Sequence, residues 1–120
     1  MKTQKKSISI YPLLLFILAL IPYTSKAQDN KTEEIKIKTS VVCDMCKTTI
    51  EKELAFEKGV KKSTVDVDSK IVTVQYNPKK TTPDKIRTAI SKIGYDADEV
   101  PADTKAYKNL NTCCKKDAVH

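Results

Sequence analysis

Tryptophan is absent from this 120-residue sequence, histidine occurs once, and no stretch holds twenty consecutive apolar residues. Each shortage removes a class of protein. A membrane-spanning helix needs about 20 apolar residues. The apolar stretch 8–21 is shorter and interrupted by Pro12, which argues against a permanent anchor. The single histidine is the terminal His120, so any other soft-ion ligands must come chiefly from cysteine. Basic residues are interspersed with acids and form no aromatic-interleaved stripe, so nucleic acid is not an expected partner. No internal repeat or low-complexity tract is present.

The first 27 residues are an address. Lys2, Lys5 and Lys6 make a positive start, the apolar stretch follows, and Ser25-Lys26-Ala27 places small residues at the −3 and −1 positions of a cleavage site. Residues 1–27 are expected to be a cleaved signal peptide. No cysteine lies near the cut, so lipid anchoring is not expected. The product is exported, periplasmic or secreted. Four lysines leave with the leader and no acid does, so the formal charge falls from +7 to +3, a solvated surface. Residues 28–120 suffice for one small domain with a single core.

Beyond a polar leader at 28–33, hydrophobic periodicity gives an element order. Ile35, Ile37, Thr39 and Val41 alternate with polar positions in a first strand over 35–42. A helix over 46–57 carries Cys46, Ile50 and Leu54 on one face, and Gly59 follows it as a stop. Strands at 60–66, with Val65 and Val67 inward, and at 71–76 flank the turn Asp68-Ser69-Lys70 as a hairpin. Thr82 is a candidate N-cap with Pro83 at N1 of a second helix. Its stripe is Ile86, Ala89, Ile90 and Ile93, and Gly94 is placed to cap its end. A fourth strand over 95–100 completes β-α-β-β-α-β. This is the ferredoxin-like α+β plan: a four-stranded antiparallel sheet with two helices on one face. Residues 101–120 are a cysteine-containing tail with a short helix expected within 102–110.

All four cysteines lie after the leader. Cys43 and Cys46 are spaced C-x-x-C where a strand pattern gives way to a helix pattern, and Cys113 and Cys114 are adjacent. Four cysteines in an exported chain allow a disulfide framework with three pairings. The close spacing instead favours ligand or redox chemistry. Two thiols at a helix N-terminus converge on one soft ion, or close on each other. Helix-end N–H groups favour the thiolate there. Two thiolates suit Cu(I) or Hg(II) better than hard ions.

The motif Cys43-x-x-Cys46 precedes Ile50-Glu51, Lys58-Gly59-Val60, Val65-Asp66-Val67, Tyr76-Asn77-Pro78 and Ile93-Gly94-Tyr95. Residues 34–100 thereby resemble the heavy-metal-associated domain family, which includes copper chaperones, domains of metal-transporting ATPases and the periplasmic mercury-binding protein. The resemblance implies that Cys43 and Cys46 hold a soft ion, Cu(I) slightly ahead of Hg(II) and zinc behind both, and pass it to a membrane transporter or metal-transporting ATPase. It implies no enzymatic activity. Val41 stands where the family has a methionine beneath the metal loop, an apolar but smaller plug. Val42 stands where zinc- and lead-carrying members often have an acid. Tyr95 falls at the loop that packs beside the metal loop.

Other residues near the motif carry blander expectations. Met45 is expected as an exposed or packing side chain, Asp44 as a solvated loop acid and Lys47 as a surface lysine. The tail thiols Cys113 and Cys114 are either a mobile pair that oxidises with other thiols or an auxiliary soft site folded back on Cys43 and Cys46. At about 3.3 Å per residue the stretch 95–113 is long enough to reach, and His120 lies near those thiols. A monomer is expected, a metal-bridged dimer being the alternative. The competing function is a thiol–disulfide oxidoreductase using the same C-x-x-C. Against it, only one strand fits before Cys43, and no tryptophan flanks the motif.

Overall fold

Alternation of apolar and polar residues sets the sheet. In the computed structural model, which describes residues 31–117, β1 (Glu33–Lys38), β2 (Val60–Asp66) and β3 (Ile71–Tyr76) form an antiparallel sheet of order β1-β3-β2. Register follows the buried face: Ile35 pairs with Val74, Ile37 with Val72, and Val65 with Val72 from the other side. A one-residue slip would turn every one of these side chains to solvent. The expected signal segment 1–27 and His120 lie outside the described residues. Among the described residues no helix is long and apolar enough to cross a membrane.

Two helices cover the sheet. Helix α1 (Asp44–Ala55) buries Cys46, Ile50 and Leu54, the i, i+4, i+8 row expected from the sequence. It begins two residues earlier than its apolar row suggests, because Cys43 itself is the N-cap, in extended conformation. Helix α2 (Pro83–Ile93) starts as its sequence dictates. Thr82 Oγ1 accepts from the Lys85 N–H, Pro83 fills the first turn, and Gly94 caps the end at φ 117. Ile86 and Ile90 enter the core beside Val72, Val74, Ile50 and Leu54. Burying each such aliphatic chain stabilises the fold by roughly 1.5–3 kcal/mol.

The fourth strand expected over 95–100 is not seen among the described residues. The three strands β1–β3 are the sheet of the described residues, and segment 95–100 contributes only isolated bridges, Thr39 with Ala97 and Ala97 with Val100. The cause lies in its composition. Asp98 adopts a left-handed φ of 51, a conformation that Asp tolerates better than most residues. Around it, Ala97 and Val100 exchange both backbone hydrogen bonds at 2.9 Å. The backbone thus pairs with itself. Asp98 then fastens the turn to the edge of β1: its N–H donates to Lys38 O at 2.8 Å, and its Oδ1 accepts from the Lys38 N–H at 2.9 Å. Asp and Ala are poor strand formers, and an Asp side chain competes for backbone donors.

The tail is folded. Helix α3 (Thr104–Asn109) is shorter than the expected 102–110 and is followed by a 3-10 turn, Thr112–Cys114. Asp103 caps α3 by accepting from the Ala106 N–H. Ser91, at the end of α2, ties the approach: its Oγ donates to Pro101 O at 2.7 Å and its carbonyl accepts from the Asp103 N–H at 3.0 Å. Asp96 holds both ends of the segment, accepting from the Ala102 N–H at 2.8 Å and from Lys116 Nζ at 3.2 Å.

Candidate metal centre

Cys43 and Cys46 bracket the first turn of α1. Cys43 precedes the helix with φ −155 and ψ 170, and its carbonyl accepts from the Lys47 N–H at 3.2 Å. This geometry turns the Cys43 sulfur toward the free N–H groups of the helix end. Its Sγ lies 3.3 Å from Cys46 Sγ. Burial works to raise the Cys43 thiol's pKa. The Cys46 backbone N–H, the Cys46 and Cys114 thiols, and the Met45 N–H outweigh it, and the net shift is downward. A ready thiolate is what a soft ion requires. Cys46, in contrast, is fully buried in the core.

The tail arrives at the same place. Cys114 Sγ lies 3.9 Å from Cys43 Sγ and 4.0 Å from Cys113 Sγ. The sulfurs of Cys43, Cys113 and Cys114 all fall within 4.8 Å of one another. All four cysteines are free thiols. Cys114 is only 2% exposed and belongs to the core cluster, whereas Cys43 and Cys113 are half-buried. Burial, first of all, and then the neighbouring Cys46 thiol push the Cys114 thiol upward, with Tyr95 opposing them.

Tyr95 is fully buried, and its hydroxyl has no protein nitrogen or oxygen as a hydrogen-bond partner among the described residues. Its neighbours are the thiols of Cys46 and Cys114, and burial ahead of these contacts raises its pKa. Val41 is also fully buried and belongs to the core cluster. Met45 is 48% exposed, yet its thioether meets the tail: Asn111 Nδ2 donates to Sδ at 3.1 Å, and Cys113 Sγ lies 3.6 Å away. Asp44 is exposed at the helix start. The Lys47 ammonium is occupied elsewhere, donating to Val65 O at 2.9 Å and pairing with Glu51 at 3.5 Å. Glu51 in turn accepts from the Val65 N–H at 2.9 Å, so this pair staples α1 to β2.

Sequence reasoning placed Cys43, Cys46, Val41 and Tyr95 around one loop. It did not foresee the residues that steer the tail, namely Asp96, Ser91 and Asn111. One signal was readable. A second pair of cysteines beyond the last core element has a reason to be there if the chain returns.

Known proteins resemble a little over half of this chain. A copper-exporting P-type ATPase of Staphylococcus aureus (strain JH9) is 40% identical over 67 residues, which is 56% of this chain and 8% of the transporter. The chain therefore spans less than a tenth of that relative's length. Among solved structures, the N-terminal domain of a potential copper-translocating P-type ATPase from Bacillus subtilis in the Cu(I)-loaded state superposes with TM-score 0.53 at 32% identity. The match covers 57% of this chain and 86% of that one. The CopZ metallochaperone gives TM-score 0.52 at 27% identity, covering 54% of this chain and 98% of the other. The sequence profile described as the heavy-metal-associated domain matches residues 37–96, from β1 through the Tyr95 loop. Half of the sequence, including the Cys43–Cys46 loop and both main helices, follows that pattern, and the chain belongs to the heavy-metal-associated domain family.

Proposed function

We propose that this protein is an exported carrier that binds a soft metal ion, Cu(I) before Hg(II), at Cys43 and Cys46 and passes it to a membrane transporter by thiolate exchange. The observation that carries the reading is the Cys43–Cys46 sulfur pair, 3.3 Å apart at the N-terminus of α1 with the Cys43 thiol shifted toward the thiolate. Soft thiolate donors select soft ions. Copper is favoured over mercury by the relatives at 40% and 32% identity, both named for copper. The full four-stranded ferredoxin-like plan is part of the same proposal, segment 95–100 serving as the bridged remnant of its last strand. Export is supported by the leader pattern of residues 1–27. Binding and transfer, not turnover, are the activity, and a transporting ATPase is the expected acceptor.

Native mass spectrometry of the purified, reduced protein with Cu(I), Hg(II) and Zn(II) in turn tests the reading. Tight retention of Cu(I) or Hg(II), lost on Cys43→Ser, supports it. Failure to retain either ion, together with turnover of a disulfide substrate, replaces it with the oxidoreductase reading.

A further inference from the structure

The four thiols form one cluster rather than two separate pairs. Along Cys46, Cys43, Cys114 and Cys113 the successive sulfur separations are 3.3, 3.9 and 4.0 Å. With metal–sulfur bonds of about 2.3 Å, a trigonal site sets its sulfurs about 4.0 Å apart and a linear one about 4.6 Å apart. The two separations made by the tail already match a trigonal set. The Cys43–Cys46 separation is shorter than either and must open to admit an ion.

We propose that Cys43, Cys113 and Cys114 constitute a three-thiolate site for a soft ion, overlapping the Cys43–Cys46 pair at the shared Cys43. This deepens the proposed function and rests on its reading that Cys43 holds such an ion. Segments 71 residues apart in sequence supply the three sulfurs, all within 4.8 Å of one another.

A second, independent observation points to a ligand at this place. The buried Tyr95 hydroxyl has no protein nitrogen or oxygen as a hydrogen-bond partner among the described residues and lies against the sulfurs of Cys46 and Cys114. A neutral thiol is only a weak acceptor for that hydroxyl. A metal-bound thiolate is a charged acceptor that would use it. The approach of the tail is also fixed, by Ser91 to Pro101 and Asp103, and by Asp96 to Ala102 and Lys116. Cys43 and Cys113 are the more open of the three ligands and Cys114 is buried, so an ion enters between the first two and is then shielded. Each thiol that becomes a ligand releases its proton to solvent, and no electron changes hands.

Two properties follow. The tail raises the coordination number above that of a two-thiolate carrier, so the ion is held more firmly. The shared Cys43 lets the ion move between Cys46 and the tail without leaving sulfur.

X-ray absorption of the purified, reduced protein loaded with one equivalent of Cu(I) decides the matter. Three sulfur neighbours are expected in the wild type, and two in Cys113→Ser/Cys114→Ser, which still holds the ion. Cys46→Ser is expected to keep Cu(I) on three sulfurs. Affinity in the double variant should fall roughly ten- to a hundred-fold, the range produced even by an outer partner of a metal ligand. Cys113→Ser alone, at the half-exposed position, is expected to lose one sulfur neighbour and covers the case in which replacing buried Cys114 disturbs the fold. Two sulfurs in the wild type, or loss of Cu(I) on Cys46→Ser, overturns the three-thiolate site while leaving the two-thiolate carrier standing. Failure of the wild type to bind Cu(I) or Hg(II) overturns both.

Discussion

Cys114 Sγ lies 3.9 Å from Cys43 Sγ although 71 residues separate them. The contact brings the 3-10 turn Thr112–Cys114 onto the first helix and makes Cys43 the hub of the thiol cluster. Removing the hub and removing one of its neighbours should therefore differ in effect. Cys43→Ser is expected to abolish soft-ion retention, because Cys43 belongs to both ligand sets. Cys46→Ser is expected to weaken retention and leave it measurable. Competition with a Cu(I) chelator, followed by absorbance, gives both affinities, and equal loss in the two variants would contradict the hub.

Tyr95→Phe separates stability from binding. The substitution deletes a buried hydroxyl that faces only the weakly accepting thiols of Cys46 and Cys114, and keeps the ring that fills the core. The metal-free protein is expected to hold its stability or gain about 1 kcal/mol, since a weakly paired buried group is removed. Cu(I) affinity is expected to fall roughly tenfold if a hydrogen bond to a thiolate is lost. Urea melts of the free protein and chelator competition of the loaded one supply the two readouts. A destabilised free protein with unchanged affinity would show that the hydroxyl serves the fold alone.

Gly94→Ala attacks the tail without touching a sulfur. Gly94 sits at φ 117, and an added Cβ would lie 3.1 Å from the carbonyl carbon and oxygen of Ala106 and from Leu110 Cγ. Alanine in a left-handed conformation, crowded by the backbone of α3, should cost more than about 1 kcal/mol. Because α3 leads to Cys114, its displacement should also open that thiol. The rate of Cys114 alkylation under native conditions is expected to rise, and an unchanged rate would place the tail's anchor elsewhere.

Asp98 predicts an acid limit. Its burial acts to raise its pKa, but the Arg87 guanidinium at 2.8 Å and the Lys38 N–H outweigh that and hold the carboxyl below its ordinary value. A carboxyl depressed in the fold takes up a proton more readily when unfolded. Its contribution is complete above the ordinary aspartate value of about 3.9 and is lost as pH falls through the lower folded value. Urea midpoints should thus decline below about pH 4. Asp98→Asn keeps a residue that tolerates φ 51 and removes the charge. It is expected to cost about 1–2 kcal/mol at pH 7 and to flatten the acid decline, while a decline as steep as before would assign it to Asp96, which is also held low.

Sequence alone determined the elements whose signals are local. The row Cys46, Ile50, Leu54 and the stripe of α2 each repeat at helical spacing, and Thr82, Pro83 and Gly94 mark their helix ends by chemistry that acts within one turn. The alternation of β3 fixed which face is buried, and C-x-x-C at a strand–helix junction fixed where the thiols cluster. Tertiary structure decided the rest. Segment 95–100 makes isolated bridges instead of a ladder because Asp98 turns the backbone onto itself, a competition between side-chain and sheet hydrogen bonds that periodicity does not weigh. The tail's destination depended on Ser91, Gly94 and Asp96 meeting partners up to twenty residues away. Four thiols were visible from the start. That they meet in one cluster is a property of distances in space, which only packing sets.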